Sequence, residues 1–217
     1  MDPNTEPQTS TPASMPVMSE ADWDQRYAER EALWSGEPNA ALVAEVGALA
    51  PGRALDVGCG EGADALWLAS RGWDVTALDV SSVALARAAG QAAQRSVEVN
   101  WLHSGLVEAD LPAGGFDLVS AQYPALLRTP DNAAERALLN AVAPGGILLV
   151  VHHALPAAGA GHASAVDMRD YLLPGDIAAA LGDAWLVEAN ETRPRHVTAG
   201  AGAHHTEDVV LRARRLR

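Results

Sequence analysis

Three glycines mark the part of this sequence that is best suited to binding chemistry. Gly58, Gly60 and Gly62 follow the short apolar run 53–57 and precede a segment with helical spacing. Glycines allow positive φ angles and let backbone N–H groups approach a ligand that a Cβ would hold away, and the helix that follows offers a partly positive N-terminus. The pattern predicts a loop that cradles a nucleotide.

Two kinds of nucleotide fit this loop. Gly58, Gly60 and Ala63 satisfy the G-x-G-x-x-A form of the dinucleotide fingerprint, which indicates an NAD-dependent oxidoreductase. Asp56 favours a different ligand, because a carboxylate two residues before the first glycine repels a pyrophosphate and attracts a cationic amino group. S-adenosylmethionine (SAM) is such a ligand, since its amino and sulfonium groups are positive and it has no phosphate.

Asp79 ends a second predicted strand, 73–80. It lies about 20 residues beyond the glycines, the spacing at which one βαβ step brings a carboxylate to ribose hydroxyls. The competing interpretation is a helix N-cap, but Ser81 and Ser82 precede the Ala-rich helix predicted over 83–94, and a serine caps without help from the acid. Asp79 is therefore predicted to bind a ribose in either kind of nucleotide.

The composition and net charge of the chain limit the kinds of molecule that it is expected to bind. The 217 residues are 48% hydrophobic and carry a net charge of −13, which opposes binding to phosphate backbones and anionic lipid. The single cysteine, Cys59, excludes an intramolecular disulfide, and no apolar run reaches the roughly 18 residues of a membrane span. We expect a cytoplasmic monomer or homodimer that acts on a small molecule, not on nucleic acid or membrane.

The N-terminal region divides into a tail and a helical segment. Residues 1–18 are rich in proline and polar residues and lack the positive start and apolar core of a signal peptide, which predicts a disordered tail. Residues 19–217 are predicted to form a single domain. Its first part, 19–50, begins with a helix capped by Ser19 and contains a second helix over 40–49 that ends at Pro51 and Gly52.

Strands and helices alternate along the rest of the chain. Strands are predicted over 97–103, 115–123, 143–153, 185–193 and 208–214, and helices over 131–142 and 174–181. Such alternation indicates a parallel sheet with helices on both faces.

The run 55–62, Leu-Asp-Val-Gly-Cys-Gly-Glu-Gly, resembles the first motif of the class I SAM-dependent methyltransferases. Asp79, the turn 144–146 before the fifth strand and the Phe116-Asp117 pair that opens the fourth also match that family. The resemblance covers residues 19–217 and implies a Rossmann-like, doubly wound, mostly parallel seven-stranded sheet with an antiparallel last strand. The activity it implies is methyl transfer from SAM, with S-adenosylhomocysteine (SAH) as product.

The segment 23–39 is similar to the N-terminal cover of small-molecule methyltransferases of the tellurite-resistance and thiopurine type. This similarity implies that Tyr27, Trp34, Pro38 and Asn39 form a lid that excludes water and shapes the acceptor pocket. The competing interpretation is that the aromatic side chains pack on the sheet, which is favoured for Trp23.

The resemblance also implies which residues bind SAM. Asp56 and the glycines would hold the methionine portion, Asp79 the ribose and Val80 a face of the adenine. One family feature is missing, because Gly105 stands where relatives commonly carry an acid for the adenine amino group; Glu108, Asp110, Ser104 or backbone groups would have to replace it. The predicted cofactor-binding set is Tyr27, Trp34, Asp56, Gly58, Cys59, Gly60, Gly62, Asp79, Val80, Ser104, Gly105, Leu106 and Gln122.

In-line displacement at a sulfonium methyl needs little acid–base help. A thiolate, a selenide, a tellurite-derived anion or an amine attacks by itself if it is held close, whereas a neutral hydroxyl or a protonated amine requires a base. Doubly wound folds bind ligands at the carboxyl edge of the sheet. The candidates there are Tyr123, after the fourth strand, and His152 and His153, after the fifth.

Two adjacent histidine pairs, His152-His153 and His204-His205, raise the question of a metal site. Adjacent residues on a strand point to opposite faces, and no Cys-rich set or H-E-x-x-H helix accompanies them, so no metal is predicted. His204 and His205 follow a Gly/Ala-rich loop, 198–203, and are predicted to be solvated. The alternatives to a methyltransferase are an NAD-dependent oxidoreductase and a noncatalytic cofactor-binding module.

Overall fold

A computed structural model describes residues 18–155, 170–195, 197, 200 and 203–217. The predicted disordered tail, except for Met18, and most of the loop 198–203 therefore lie outside the described residues. The elements are α1 (Glu20–Ala28), α2 (Ala40–Val46), β1 (Arg53–Val57), α3 (Ala63–Ser70), β2 (Asp74–Asp79), α4 (Ser82–Arg95), β3 (Asn100–His103), β4 (Phe116–Gln122), α5 (Ala133–Ala141), β5 (Val142–His153), α6 (Pro174–Ala180), β6 (Trp185–Pro194) and β7 (Glu207–Arg215). None of these described helices has the length and apolar character needed to cross a membrane.

The strands form one seven-stranded sheet in the order β3-β2-β1-β4-β5-β7-β6. Strands β1 to β5 pair in parallel, whereas β7 runs antiparallel to both of its neighbours, β5 and β6. This confirms the predicted Rossmann-like, mostly parallel sheet with an antiparallel last strand. Because β1 lies between β2 and β4, the loops that follow these three strands meet at one edge, where such folds bind ligands.

Apolar side chains alternate between the two faces of the sheet and bury one cluster on each. Leu55 packs with Leu138 of α5 and with α6 on one face. Its neighbour Ala54 packs with Leu42 of α2 and Leu68 of α3 on the other. Helices therefore cover both faces, as predicted, and even-numbered residues of β1 point toward α2 and α3.

Two element boundaries differ from the prediction by three residues, each for a local reason. β3 begins at Asn100 and not at Val97, because Ser96, which follows α4, is left-handed and the Val97 N–H bonds back to the Ala92 carbonyl at 3.1 Å. α2 ends at Val46 and is followed by Gly47, whose N–H bonds to the helix. Both differences shorten an element without moving its neighbours in the sheet.

The N-terminal part of the domain, residues 19–50, is called the cover here, and it packs on the rest of the domain through α1. Ser19 caps α1 as predicted, in a capping box with Asp22: the Asp22 N–H donates to Ser19 Oγ at 3.3 Å, and the Ser19 N–H donates to Asp22 Oδ2 at 2.8 Å. Tyr27 and Leu33 form a buried cluster with Ala84 of α4. The cover is thus packed on the helix that follows β2.

Candidate functional site

The loop after β1 carries its three glycines in left-handed conformations, with φ of +70° at Gly58, +53° at Gly60 and +82° at Gly62. A Cβ on Gly58 would meet no atom of the described residues within 4 Å, so these residues leave the space above Gly58 open. A Cβ on Gly60 would lie 2.8 Å from the Tyr27 hydroxyl, and one on Gly62 would lie 2.7 Å from Ala88 Cβ. Gly58 therefore faces space for a ligand, whereas Gly60 and Gly62 are also required by packing.

Asp56, the acid two residues before Gly58, is the buried carboxylate of this loop. Its side chain is buried, and Oδ2 has no hydrogen-bond partner among the described residues. Burial, together with the charges of Asp64 and Asp79, raises the pKa of Asp56 well above its usual range. A buried carboxylate without a partner is unfavourable unless a cation accompanies it. The site therefore fits a ligand with a positively charged amino group, as SAM has.

Gln122 adds a second unsatisfied acceptor at the same edge. β1 and β4 pair Asp56 with Ser120, so Gln122 projects from the same face of the sheet. Gln122 Nε2 donates to Ser120 Oγ at 3.0 Å, while its Oε1, also buried, has no partner among the described residues. Buried acceptors usually have partners, so this pair of oxygen atoms fits a ligand that donates N–H groups.

Asp79 ends β2 and holds the glycine loop by its backbone. Its Oδ2 accepts the Gly60 N–H and its Oδ1 accepts the Ser81 N–H, each at 2.8 Å. Ser81 itself caps α4, since its Oγ accepts the Ala84 N–H at 3.1 Å, so the helix does not need Asp79 as its N-cap. Burial raises the pKa of Asp79, and the two backbone hydrogen bonds oppose that shift. Each carboxylate oxygen keeps acceptor capacity for a hydroxyl.

The segment after β3 brings a different acid to the predicted adenine position. A Cβ on Gly105 would overlap the Glu108 carboxylate and lie 3.8 Å from Val80 Cγ1. Glu108 therefore occupies the place where a side chain at residue 105 would begin. Ser104 Oγ donates to the Gly105 carbonyl at 3.0 Å, and Leu106 is buried in the core. Of the predicted replacements, Glu108 is the carboxylate beside Val80.

Two aromatic side chains of the cover, Tyr27 and Trp34, lie against the glycine loop at Gly60. Trp34 Nε1 donates to the Tyr27 hydroxyl oxygen at 2.9 Å, next to Gly60. Burial is the main cause that raises the pKa of Tyr27 well above its usual value, so the phenol keeps its proton. Asn39 instead donates its backbone N–H and its side-chain Nδ2 to Asp64, at 2.7 and 2.8 Å, and is engaged in structure.

Glu61, between two of the loop glycines, fastens this cover. Its carboxylate accepts the backbone N–H of Leu33 at 3.1 Å and that of Trp34 at 3.0 Å. Arg87 of α4 pairs with the same carboxylate at 2.9 Å and donates to the Tyr27 carbonyl at 2.8 Å. Sequence reasoning missed both residues. The signal for Glu61 was its position, since an acid inside a glycine loop repels phosphate and needs a partner of its own.

Cys59 lies within the loop but is not activated. Burial, followed by the charges of Asp56 and Asp79, raises the pKa of its thiol well above the usual value. The side chain packs against the apolar cluster that contains Leu68. Cys59 is therefore a packing residue beside the predicted cofactor position.

A polar cluster lies at the carboxyl ends of β4 and β5. The Tyr123 hydroxyl donates to Asp208 Oδ2 at 2.8 Å, and Arg195 Nε donates to the same hydroxyl oxygen at 3.1 Å. His153 Nδ1 is 3.3 Å from Asp208 Oδ1. The His153 ring lies between those of Tyr123 and His205, with centroid distances of 4.3 and 3.8 Å. We call these five residues the Asp208 cluster.

The two histidines of β5 differ in their surroundings, although their rings meet edge-on with 5.8 Å between centroids. His153 of β5 is paired with Asp208 of β7, so the two side chains lie on the same face of the sheet. His152 is buried, approaches Tyr123 only edge-on at 6.4 Å between ring centroids, and has a pKa lowered mainly by burial. The structure therefore stacks Tyr123 on His153, while the His152 ring meets both of them edge-on.

Of the two histidines predicted to be solvated, His204 is exposed, whereas His205 is half-buried. His205 stacks on His153, and burial is the main cause that lowers its pKa to about 4. Stacking fixes the two rings parallel to each other, with 12° between their planes. Among the residues that the structure describes, no group of three or more His, Cys, Asp or Glu side chains is placed to hold a metal ion.

Comparison with known proteins connects this site to methyltransferases. Residues 54–146 match the family model described as a methyltransferase domain. An uncharacterized methyltransferase of Mycobacterium tuberculosis is 40% identical over 103 residues, which are 47% of this chain and 51% of the relative. A ribosomal RNA small subunit methyltransferase C of Alcanivorax borkumensis is 34% identical over 116 residues, 49% of this chain and 34% of the relative. The chain thus matches about half or less of the length of these curated relatives.

Solved structures extend the likeness of the fold over most of the chain. A 1,6-didemethyltoxoflavin-N1-methyltransferase from Burkholderia thailandensis, with 1,6-didemethyltoxoflavin and SAH bound, has a TM-score of 0.65 at 20% identity over 91% of this chain and 87% of that one. A structure that describes conversion of a disulfide bond into a thioacetal group during echinomycin biosynthesis has a TM-score of 0.71 at 22% identity over 90% and 92%. The glycine loop, Asp79 and Gln122 lie within the matched segment. The chain therefore matches methyltransferases in sequence over the part that contains the glycine loop, and has their fold over most of its length.

Proposed function

We propose that this chain is a SAM-dependent methyltransferase that methylates a small molecule. The observation that carries the proposal is the unpartnered, buried oxygen of Asp56 beneath a loop that is open above Gly58. An ammonium group bound there supplies both the missing hydrogen bond and the missing charge. A pyrophosphate over the same loop would add negative charge beside Asp56, Asp64 and Asp79, which disfavours the NAD-dependent alternative.

Residues on neighbouring strands of the sheet would bind successive parts of SAM. Asp56 and Gln122, on β1 and β4, would bind the amino acid end. Asp79, at the end of β2, would accept hydroxyl groups of the ribose. Val80 and Glu108 would contact the adenine, with the Glu108 carboxylate accepting its amino group. When bound, SAM supplies an electrophilic methyl group on a positively charged sulfur.

The acceptor would bind on the β4–β5 side of this arrangement. Asp79 and Val80 direct the nucleoside toward β2 and β3, so the reacting end lies toward the opposite side of β1. Tyr123 and His153 stand on that side. Holding the acceptor in line with the bond that breaks supplies most of the acceleration in such a displacement. A thiol, an amine, a hydroxyl or a metalloid oxyanion is compatible with this arrangement.

Enclosure of the site supports a small acceptor. Tyr27 and Trp34 cover the glycine loop from one side, and a Cβ on Gly200, between β6 and β7, would lie 2.6 Å from the backbone N of Ser35. The cover and the β6–β7 connection therefore meet. The net charge of −13 disfavours an RNA acceptor such as the one in the name of the Alcanivorax relative. The Burkholderia neighbour, which binds a small heterocycle together with SAH, has the same fold.

Thermal-shift and calorimetric titrations with SAH, SAM and NAD test the proposal. SAH and SAM are expected to raise the melting temperature and to bind, whereas NAD has no effect. Stabilisation by NAD alone would establish the oxidoreductase alternative. A noncatalytic module would bind SAH yet produce none from SAM with a panel of thiols, amines, phenols and tellurite, as measured by mass spectrometry.

A further inference from the structure

We infer that Asp208 and His153 form a general-base pair on the acceptor side, and that the acceptor therefore loses a proton from an O–H or N–H group as it is methylated. This inference rests on the proposed function and narrows its substrate class. It assigns His153 as the base and Asp208, which sequence reasoning did not single out, as the residue that positions it.

Among the described residues, none forms a hydrogen bond with the Nε2 edge of the His153 ring, and we assign this edge to the ligand. Tyr123 and His205 cover its two faces, at centroid distances of 4.3 and 3.8 Å. The Nδ1 edge is directed to Asp208 Oδ1 at 3.3 Å. Nε2 lies on the opposite edge of the imidazole, and 17% of the His153 side chain is exposed. A ligand that reaches this histidine therefore meets the Nε2 edge.

The groups that surround His153 favour the tautomer needed for a base. They are Asp208 of β7, Tyr123 after β4, Arg195 after β6, His205 before β7 and its chain neighbour His152. Burial raises the pKa of Tyr123, so it remains a hydroxyl donor to Asp208, and the pKa of His205 is lowered to about 4, so this ring is neutral near pH 7. Among these described groups, Asp208 is the acid that faces His153.

Asp208 is itself held in place from other directions. Tyr123 donates to Oδ2 at 2.8 Å, and Arg195 Nε lies 3.5 Å from Oδ1. A carboxylate fixed in this way accepts Nδ1–H from His153 and leaves the lone pair of Nε2 to act as acceptor. The ion pair with Arg195 offsets part of the carboxylate charge, and the remaining charge stabilises an imidazolium when it forms.

Reaction of an O–H acceptor transfers one methyl group and one proton. The acceptor oxygen forms a bond to the methyl carbon while the carbon–sulfur bond breaks and its electron pair goes to sulfur. The acceptor proton moves to His153 Nε2. The products are the methyl ether, neutral SAH and an imidazolium, so the positive charge of the sulfonium is carried by His153. A thiolate or a tellurite-derived anion has no proton to lose and has no use for this pair.

The tautomer of His153 tests the geometry without a known acceptor. In the SAH complex of protein labelled with ¹⁵N-histidine, long-range proton–nitrogen correlation is expected to show His153 as the Nδ1–H tautomer, with its signals identified by their loss in His153→Gln. Asp208→Asn is expected to abolish this preference, and His204→Ala, at the exposed neighbouring histidine, to preserve it. An Nε2–H tautomer in the wild-type complex overturns the inference.

Methyl transfer to paired probes tests the chemistry. Phenol and benzylamine retain protons at neutral pH, whereas thiophenol and tellurite react as anions. His153→Gln, which retains a side chain able to bond to Asp208, is expected to lower transfer to the protonated probes by about 100-fold or more and to leave thiophenol nearly unaffected. Transfer by the wild-type protein to thiophenol and tellurite alone, or an unchanged rate for phenol in His153→Gln, overturns the inference.

SAH binding separates failure of this inference from failure of the proposed function. Calorimetry on the wild type, His153→Gln and Asp208→Asn is expected to give similar affinities, because neither residue is assigned to the cofactor. A wild-type protein that does not bind SAH refutes the proposed function. A protein that binds SAH but shows the wrong tautomer or probe selectivity refutes only the base pair.

Discussion

Arg87 Nη1 lies 2.9 Å from Glu61 Oε1, and this ion pair joins the glycine loop to the N-terminal cover. Glu61 accepts two backbone N–H groups of the cover, and Arg87 donates to the carbonyl oxygens of Tyr27 and Arg30. The loop that would hold the cofactor and the segment that would enclose it are therefore one connected structure.

Removing the Glu61 carboxylate is expected to release the cover. Glu61→Ala deletes the acceptor for Leu33 and Trp34 and leaves Arg87 without its carboxylate, at a cost of roughly 2–4 kcal/mol in folding stability. Faster tryptic cleavage at Arg30 and faster dissociation of SAH are the expected results. Glu31→Ala, at an exposed acid of the same segment, is the control. Equal cleavage rates in the two variants would show that Glu61 does not hold the cover.

Neutralising Asp56 is expected to stabilise the protein in the absence of ligand. The folded-state pKa of Asp56 is raised above the unfolded value of about 4, so the destabilisation that Asp56 causes is largest above the folded-state pKa, decreases as the pH falls below it, and is absent below the unfolded-state value. Asp56→Asn is therefore expected to raise the melting temperature at neutral pH, and to have little effect at about pH 4 or below. A lower melting temperature at neutral pH, measured by calorimetry, would contradict this account. Asp74→Asn, at an exposed strand end, is the control.

Glu108 is expected to recognise the adenine amino group. Glu108→Gln should weaken the binding of SAH by about 1.5–3 kcal/mol, the value of a charge-assisted hydrogen bond. The inosine analogue of SAH, in which oxygen replaces the amino group, should bind the variant at least as well as the wild type. Asp110→Asn is the control. Parallel losses for SAH and the analogue would show that Glu108 acts only through structure.

Asp79 is expected to affect both ligand and fold. The sequence alone predicts that Asp79→Ala weakens SAM and leaves the fold intact. The structure changes the second half of that prediction, because the carboxylate also accepts the N–H groups of Gly60 and Ser81. Loss of these two hydrogen bonds is expected to lower the free energy of unfolding by about 2–3 kcal/mol. This effect adds to the loss of SAM affinity. Denaturant unfolding checks the stability, and unchanged SAH affinity would refute the ribose assignment.

Much of the fold was predictable because periodic patterns report burial directly. The alternation of apolar strands and helices, the glycine loop and Ser19 as a cap all follow from local sequence. Boundaries were less predictable: the Ser96 conformation that delays β3 depends on how α4 ends, which apolar periodicity does not show.

The site was predictable where one motif contains its residues and unpredictable where the fold joins distant segments. Asp56, the glycines and Asp79 lie within one βαβ unit. Asp208 meets His153 only because β7 enters antiparallel beside β5 in a particular register. Glu108 replaces a side chain at Gly105 through the path of the loop after β3, which composition does not reveal.

The central claim is that Asp56 attracts the amino group of the methyl donor. Calorimetric titration of wild type and Asp56→Asn with SAH and with an analogue of SAH that lacks the amino group tests it most directly. The substitution is expected to weaken the binding of SAH by roughly 10- to 150-fold, whereas the analogue is expected to bind both proteins with similar affinity. Equal affinity of SAH for the two proteins would contradict it.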